Sequence, residues 1–408
     1  PSLQAWVDAA GDPDTFVINW LREGAPAGIT RHAEDADIFP QAADGDATRD
    51  RTLQEFHDGM LNYESMEESD AGMAILDDLV GKKFIQKFGT YSQVSDFLGA
   101  PPIVAKLALI TTMKDGVTKH RLILDCRVSG SNAHAKKSER ILLPRAWHII
   151  KDTLQLGNLC SDGESLTYVV CELSDAFFMI PLHREEQIYF VAAYKGSFYV
   201  WLRTAQGSVN GPNVFGRLSA LVGRCSQACF DEAQVRLHIY SDDPIAAVKG
   251  TAGEQGRSVA VLLFIWMLMG FSLAAHKGQW EKKVVWIGYQ LHVDNTAVVA
   301  SIKQSFIEEL REETKKISKH NYVTAKALSR YTGQCNHVVG LLFGWRPFLE
   351  CLWAALAKYD QNNNIFKNKG RKHFIWRKQI QFADDWIGDF LHRRAGALTR
   401  KCFFFCFF

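Results

Sequence analysis

The chain has 408 residues, of which 47% are apolar and 12% are aromatic. A chain of this length and composition can bury a large core divided into two or three subdomains, which excludes a disordered tail. Its 47 Lys and Arg residues nearly balance its 45 Asp and Glu residues. A surface that binds nucleic acid must therefore come from local clusters of basic residues, because phosphate contacts depend on where the charges lie.

The cysteines do not form a recognisable metal motif. The closely spaced pairs Cys225/Cys229 and Cys402/Cys406 have no matching Cys or His pair to complete a zinc site. We therefore interpret them as free thiols of an intracellular, reducing compartment. The chain begins at Pro1 and ends in a Phe-rich segment, which indicates a piece of a longer product or a decayed open reading frame.

The first predicted elements belong to an N-terminal extension, residues 1–95, whose polar stretch 24–50 is typical of a loose linker between short helices. Apolar runs on both sides of Lys114-Asp115-Gly116 then predict a β-hairpin. The elements predicted to follow are a helix near 144–156, a strand at 166–173, a hairpin at 188–202 and a helix at 212–222. After these we predict a strand at 237–240, an apolar helix, a strand at 284–291 and an amphipathic helical region at 305–358. Because strands, helices and antiparallel hairpins interleave, the predicted fold class is α+β.

The apolar segment 259–275 is close to the lower length limit for crossing a membrane. It contains Gly270 and Ser272, however, and it follows an acidic strand end at the distance of one helix. A buried helix explains the segment as well, and we predict a helix packed on the central sheet.

Two acidic strand ends carry the chemical signal. Asp242 and Asp243 directly follow an apolar run, so two carboxylates are presented at the tip of a strand or hairpin, as in a hard-cation site. An Asp-Asp turn alone is more often a solvated turn. Glu172 and Asp175 mark an earlier acidic strand end. If both strands lie side by side in one sheet, their carboxylates converge as two-metal phosphoryl transfer requires.

The order of these motifs resembles the reverse transcriptases of retroviruses, hepadnaviruses, and gypsy-like and DIRS-like retrotransposons. The Tyr-x-Asp-Asp turn of that family is matched at 240–243, and its Gln-Gly-x4-Pro-x2-Phe element at 206–215. Its Asp-x-x-Asp-Ala-Phe element is matched at 172–177, except that Glu172 replaces the first Asp. The fingers element is matched by Lys114, Arg121, Asp125, Arg127 and Asn132. Downstream, 270–273 leads to Lys277, and 286–289 is similar to the primer-grip strand.

The resemblance implies a right-hand polymerase, with fingers and palm in 96–300, a helical thumb or connection in 301–358 and a tail in 359–408. It further implies an RNA-directed DNA polymerase of a retrotransposon that extends a primer with dNTPs on an RNA or DNA template, without a membrane. Two Mg²⁺ ions, or Mn²⁺ in their place, would be held by Glu172, Asp242 and Asp243. The segments 331–334 and 344–349 are most similar to DIRS-like elements.

The nucleotide-binding roles also follow from the resemblance. Lys114 and Arg121 would close over the triphosphate, unless they are only a solvated basic hairpin. Gln206 would hydrogen-bond the nucleotide, and Gly207 would let the backbone approach it. Phe177, beside Asp175 and Ala176, fits the sugar gate that leaves no room for a ribose 2′-hydroxyl, although an ordinary core aromatic is the alternative.

Three further roles are implied. Lys277 matches a residue that can protonate pyrophosphate, or it is a surface lysine. Trp286, Ile287 and Gly288 would form the primer grip. A set of basic residues suits the backbone of a template-primer duplex, with a solvated helix face as the alternative: Lys303, Arg311, Lys315, Lys316 and Lys319. Asp125 and Arg127 are predicted to form a structural ion pair.

Glu172 is the departure that matters for activity. Its side chain is one methylene longer than Asp, which displaces the carboxylate by roughly an ångström, and an error of that size can cost on the order of a hundredfold in rate. A catalytically impaired relic that only binds nucleic acid is therefore the alternative function. An RNA-dependent RNA polymerase is a third, which Phe177 and the Gln-Gly element disfavour.

Overall fold

The computed structural model describes residues 2–42, 52–57, 59–114, 116–365, 374–393 and 398–404. It divides into two compact units. Unit 1 comprises Pro1–Leu143, Leu173–Cys229 and Leu262–Ala274. Unit 2 comprises Pro144–Glu172, Phe230–Val261 and Ala275–Phe408. Both units are assembled from separate chain segments. The predicted domain boundaries after residues 95, 300 and 358 remain predictions.

The helices, in chain order, are α1 (Ser2–Ala10), α2 (Phe16–Glu23), α3 (Glu64–Glu67), α4 (Asp70–Gly81), α5 (Tyr91–Leu98), α6 (Ser131–His134), α7 (Ala146–Asn158), α8 (Gly211–Gln227), α9 (Ala252–Leu268), α10 (Gln304–Ser318), α11 (Ala325–Val339), α12 (Arg346–Ile365) and α13 (Gln381–Arg393). The strands are β1 (Ile85–Phe88), β2 (Val104–Lys114), β3 (Val117–Asp125), β4 (Ser165–Val170), β5 (Val191–Tyr194), β6 (Ser197–Trp201), β7 (Val235–Tyr240), β8 (Asp243–Gly250), β9 (Gln279–Glu281), β10 (Lys283–Trp286), β11 (Tyr289–Val293), β12 (Ala297–Ile302), β13 (Tyr322–Thr324), β14 (Phe374–Trp376) and β15 (Thr399–Phe403).

Unit 1 contains a five-stranded sheet of order β1-β6-β5-β2-β3. Both predicted hairpins of this region are confirmed, as β2–β3 and β5–β6, and the β2–β3 ladder runs to its last pair, Lys114 with Val117. Asp115 of the predicted turn lies outside the described residues. One sheet face packs on a core that includes Leu107, Leu124 and Tyr199, each fully buried.

The N-terminal extension is attached to α8 by ion pairs. The buried guanidinium of Arg217 lies 2.6 Å from Asp14 and 3.3 Å from Glu139, and Arg224 lies 2.6 Å from Asp12. A buried charge needs such partners, because leaving it unpaired in a low dielectric is costly. The extension is therefore part of the core of unit 1.

The predicted loose linker is wrong for residues 24–42. The backbone N–H groups of Ile29 and Thr30 donate to the buried carboxylate of Glu186 at 2.8 and 2.9 Å. That of Ala36 donates to Glu139 at 3.0 Å. Backbone N–H groups of this segment thus satisfy acids that are distant in the sequence, which the local composition does not reveal. Residues 43–50 of the predicted linker lie outside the described residues.

We expect Asp14→Ala to lower the free energy of unfolding by about 3–5 kcal/mol, since it leaves the Arg217 guanidinium with a missing partner in the core. Urea unfolding measures this change. Glu309→Ala removes a pair whose side chains are 62% and 55% exposed, Arg330 with Glu309, and serves as the control, with a change below about 1 kcal/mol. Similar small losses for both variants would contradict a structural role of the extension.

Unit 2 holds one sheet of order β7-β8-β4-β9 and another of order β10-β11-β12-β15. The predicted single strand at 284–291 is wrong, because β10 and β11 form a hairpin. Ile287 and Gly288 take positive φ angles of 40° and 86° between them, the conformation of a type I′ turn. The predicted helical region 305–358 contains α10, α11 and most of α12, and it is interrupted by the short strand β13.

The apolar segment is a helix, as predicted, although α9 spans Ala252–Leu268 and ends before Gly270, which has a φ of 82°. One face is buried, including Trp266, whose indole donates to Ser226 Oγ at 3.1 Å. The other face exposes Phe264 and Met267, so both faces are apolar and the sequence shows little periodicity. In the described part of the chain, no helix is both long and apolar enough to span a bilayer.

The cysteines are unpaired where the structure describes them. All eight described cysteines are free, in agreement with the interpretation as thiols. Cys406 of the second pair lies outside the described residues.

Candidate functional site

The acid turn, which we define as Tyr240 to Asp243, is the tip of the β7–β8 hairpin. Tyr240 pairs with Asp243 across a two-residue connection, and Ser241 takes a positive φ of 57°. On the other side of β8, Cys171 N donates to Pro244 O at 3.1 Å. Glu172, the next residue, therefore lies at the same end of the sheet as both aspartates.

The electrostatics of the acid turn favour a bound cation. Burial, together with repulsion from Asp242 and Glu172, raises the pKa of Asp243 to about 6, while the Lys277 ammonium acts in the opposite direction. The indole N–H of the buried Trp286 donates to Asp243 O at 2.8 Å and fixes the backbone of the turn. The acids are thus held at a fixed place with unbalanced negative charge.

Glu172 is engaged by Lys277. The Lys277 ammonium donates to the Glu172 carboxylate in an ion pair that is about one-third exposed on each side. Over the described ranges, no group of three or more His, Cys, Asp or Glu side chains is arranged to hold a metal ion. The Asp242–Asp243 pair supplies the hard oxygen ligands that Mg²⁺ prefers, and Glu172 would join it only by leaving Lys277.

The predicted primer-grip residues lie at the β10–β11 turn. Trp286 is buried and supports the acid turn, whereas Ile287 and Gly288 form the tip. His337 of α11 packs beneath this tip, since a Cβ on Gly288 would lie 3.0 Å from its Cε1 atom. The His337 ring also stacks on Tyr289, with centroids 4.4 Å apart. His337 was missed by the sequence analysis, and no local pattern around it marks the contact.

In unit 1, the fingers residues divide into structural and exposed groups. The predicted ion pair of Asp125 with Arg127 is confirmed at 3.4 Å, and Tyr63 also donates to Asp125 at 2.7 Å. Hydrogen bonding by Tyr63 and the Arg127 backbone lowers the Asp125 pKa although burial opposes it. Arg121 is exposed on β3. Lys114 ends β2, and its side chain lies outside the described residues.

The Gln-Gly loop is held by the fingers motif. Asn132 donates to Gly207 O and accepts from Val209 N, each at 2.9 Å, and Leu124 N donates to Gln206 O at 3.0 Å. A Cβ on Gly207 would lie 1.9 Å from Leu124 O. The observed reason for glycine is therefore close packing against β3, which differs from the predicted approach to a nucleotide. The nucleotide contacts of Gln206 and Gly207 remain predictions.

We expect Gly207→Ala to destabilise the protein by about 3 kcal/mol or more, because the methyl group clashes with a backbone carbonyl and the φ of 123° is strained for any L-residue. Thermal unfolding tests this expectation. Gly163→Ala is the matched control: Gly163 has a φ of 86°, but nothing lies within 4 Å of the added Cβ, so a loss of about 1 kcal/mol is expected. Equal losses would show that the Leu124 contact is unimportant.

The predicted sugar-gate segment is a 3₁₀ turn, Ala176–Met179. Asp175 precedes it with a positive φ of 52° and forms an ion pair with Lys82 at 3.2 Å. Phe177 is half-buried, and its ring lies 5.5 Å from that of Phe215 on α8. The ring is therefore braced by a helix and also partly open to solvent. Lys82 had no signal in the sequence.

Residues 113–291 match the model of the reverse transcriptase (RNA-dependent DNA polymerase) family. Over these residues, which are less than half of the chain, it has a reverse transcriptase domain of the retroelement type. It is 26% identical over 191 residues to the Gag-Pol polyprotein of Walleye dermal sarcoma virus, a match that covers 47% of this chain and 10% of that polyprotein. It is 24% identical over 217 residues to the Gag-Pol polyprotein of avian reticuloendotheliosis virus, covering 51% of this chain and 17% of that one.

The reverse transcriptase domain also has a structural relative. A foamy viral protease-reverse transcriptase, solved in complex with an RNA/DNA hybrid, superposes with a TM-score of 0.51 at 13% identity, covering 84% of this chain and 39% of that one. The predicted α+β right-hand polymerase fold is thus confirmed. The finer similarity to DIRS-like elements remains a prediction.

The structure brings the predicted site residues of this reverse transcriptase domain together in two sets. Unit 2 gathers Glu172, Asp242, Asp243, Lys277 and Trp286 around the acid turn. Unit 1 holds the 3₁₀ turn with Phe177 against the start of α8, where a Cβ on Gly211 would lie 3.4 Å from the Phe177 ring. Reverse transcriptase domains depend on divalent cations. The carboxylate oxygens of the acid turn are the type of ligand that such cations prefer.

Proposed function

We propose that the chain is an RNA-directed DNA polymerase that extends a primer with dNTPs on a nucleic-acid template. The acid turn carries this proposal, because paired carboxylates on a rigid hairpin beside a third acid are the usual ligands of phosphoryl-transfer cations. The family match of residues 113–291 supports it. The foamy viral relative was solved with an RNA/DNA hybrid, which supports a template-primer duplex as the partner.

The residues that would hold the cations are Asp242, Asp243 and, after release from Lys277, Glu172. Two Mg²⁺ ions, or Mn²⁺ in their place, would supply charge neutralisation at the reacting phosphate. The Trp286 indole N–H keeps Asp243 in position by donating to the backbone carbonyl oxygen of Asp243. A fixed carboxylate needs no reorganisation when charge develops, which is the main advantage of a preorganised site.

Nucleotide binding is assigned to unit 1. Lys114 and Arg121 neutralise the triphosphate charge, and Gln206 with Gly207 contacts the nucleotide. Asp175, Ala176 and Phe177 shape the space around its sugar. The braced ring of Phe177 supports this role, since a gate must resist displacement to exclude a single hydroxyl group.

In the proposed reaction, the primer 3′-hydroxyl attacks the α-phosphorus of the dNTP and its proton passes to water. The bond from the α-phosphorus to pyrophosphate breaks, and Lys277 Nζ gives a proton to the leaving group. Lys277 lies beside Glu172, so its ammonium is already held at the acid end of the sheet. Trp286, Ile287 and Gly288 would hold the primer end, with His337 supporting the turn.

We expect Phe177→Val to raise the kcat/KM for ribonucleotides by about a hundredfold, while that for deoxynucleotides changes little, because the smaller side chain leaves room for the 2′-hydroxyl. Single-nucleotide insertion of UTP and dTTP opposite adenine measures both values. An unchanged ratio between the two would place Phe177 in the core and outside the sugar site.

The second candidate function is an impaired relic that only binds nucleic acid. The Lys277–Glu172 ion pair favours it, because the first predicted metal ligand is occupied. Primer extension on a homopolymer RNA template distinguishes the two functions. Template-dependent synthesis supports the polymerase, whereas duplex binding without synthesis supports the relic.

A further inference from the structure

The two-stranded sheet of β13 and β14, which we call the aromatic ribbon, has one buried and one exposed face. Val323 and Ile375 point into the core of unit 2 and are only 6% and 2% exposed. The register pairs Tyr322 with Trp376 and places Phe374 two pairs further along, opposite Thr324. Since side chains alternate along a strand, these three aromatic residues share the opposite face.

That opposite face is unusually apolar for a surface. Trp376 is 65% exposed, Tyr322 is 51% exposed and Phe374 is 38% exposed. The rings of Tyr322 and Phe374 lie edge to face with centroids 4.7 Å apart. Single exposed apolar residues are normal on proteins, but a group of three aromatic side chains on one face marks a binding surface.

The aromatic ribbon is held rigidly from behind. Arg377 N donates to Asn321 O at 2.9 Å, which extends the ladder by one step. The Arg377 side chain binds Asp384 of α13 at 2.9 Å, and Ser318 of α10 donates to the same carboxylate at 2.9 Å. A surface fixed in this way loses little conformational entropy when a ligand binds.

The surroundings of the aromatic ribbon are basic. Lys319 and His320 precede β13 and Lys378 follows β14, so antiparallel pairing brings them to the same end, and Lys326 follows β13 at the other end. All four are exposed, and within the described ranges none of the three lysines forms an ion pair. Asp385, an acid that lies close to Arg377 at the end of β14, is paired with that arginine. A polyanion would therefore be attracted to this face.

We propose that the aromatic ribbon binds single-stranded nucleic acid, with unpaired bases stacked on Trp376 and Tyr322 and phosphates near the lysines. Stacking on aromatic rings combined with basic side chains is how single strands are bound without sequence preference. This inference deepens the proposed function, since it takes nucleic acid as the substrate class. It adds a contact for unpaired bases that lies outside all the residues assigned above to catalysis, nucleotide binding or the primer grip.

The test measures the affinity of the whole chain for fluorescein-labelled oligo(dT) by anisotropy, in EDTA so that no catalysis occurs. We expect Trp376→Ala and Tyr322→Ala each to weaken binding by about tenfold, because one stacking contact is lost. Trp376→Phe should retain most of the affinity. These side chains are exposed, so thermal unfolding should change little in any variant.

Phe403→Ala is the matched control. Phe403 is also an exposed aromatic residue, 61% accessible, on a strand of unit 2 with a lysine nearby, and it lies outside the ribbon. We expect its substitution to leave oligo(dT) binding unchanged. Equal affinity of the wild type and both ribbon variants would overturn the inference. So would a dimer, seen by sedimentation, that Trp376→Ala dissociates without any change in oligo(dT) binding.

The outcome is separate from that of the proposed function. Weaker oligo(dT) binding in the ribbon variants, together with no primer extension by the wild type, would support the ribbon and refute the polymerase. If the wild type extends primers but Trp376→Ala leaves oligo(dT) binding unchanged, the result would support the polymerase and refute the ribbon.

Discussion

Substitution of Asp242 by Asn is expected to lower primer extension by about a thousandfold or more, while duplex binding stays within about twofold. Asn has nearly the same shape as Asp but lacks the charge that would hold a cation at the acid turn. The hairpin geometry should persist, since Asp242 lies in the connection and forms no ladder pair of its own. Steady-state extension and anisotropy with a labelled duplex measure the two quantities.

Asp162→Asn is the control for this loss. Asp162 is an exposed acid of unit 2 that lies just before β4, whereas Glu172 follows the opposite end of that strand. The same chemical change there should leave extension intact. Equal activity of Asp242→Asn and the wild type would exclude the acid turn as the catalytic centre.

Substitution of Glu172 by Asp is expected to raise primer extension by about ten- to a hundredfold, as for the correction of an ångström-scale misplacement. The shorter side chain would retract from Lys277 and place its carboxylate at the position that the family pattern requires. Template-primer binding should hardly change, because it rests on phosphate contacts away from this carboxylate. Mn²⁺ should partly rescue the natural chain, since Mg²⁺ demands near-ideal octahedral geometry.

Glu164→Asp is the matched control for this gain. Glu164 also forms an ion pair with a lysine, Lys249 at 2.8 Å, and it lies just before β4, away from the acid turn. Shortening it should not raise extension. If Glu172→Asp binds duplex normally but shows no gain, either Glu is a competent ligand or the defect lies elsewhere.

The local elements were predictable because their signals are local. Alternating apolar residues predicted the β2–β3 and β5–β6 hairpins, and the two acidic strand ends predicted where Glu172 and Asp242 would lie. The β10–β11 hairpin was missed because Ile287 occupies a positive-φ position for which Asn or Asp is the usual signal. The fold class was therefore predicted, while this turn was not.

The contacts that tune the site were not predictable, because they join distant parts of the chain. Lys277 and Glu172 are 105 residues apart, and Arg217 is 203 residues from Asp14. Neither pair leaves a periodic pattern in the sequence. The reason for glycine at 207 is likewise a carbonyl of another strand, Leu124 O. Only the three-dimensional structure reveals which partner satisfies each group.

Primer extension by the unmodified chain on poly(rA) primed with oligo(dT) is the most direct test of the polymerase assignment. We predict dTTP incorporation that needs the template and a divalent cation, is greater with Mn²⁺ than with Mg²⁺, and is lost in Asp242→Asn. No incorporation with either cation, by the wild type and by Glu172→Asp alike, in protein that binds the primed template, would contradict the assignment.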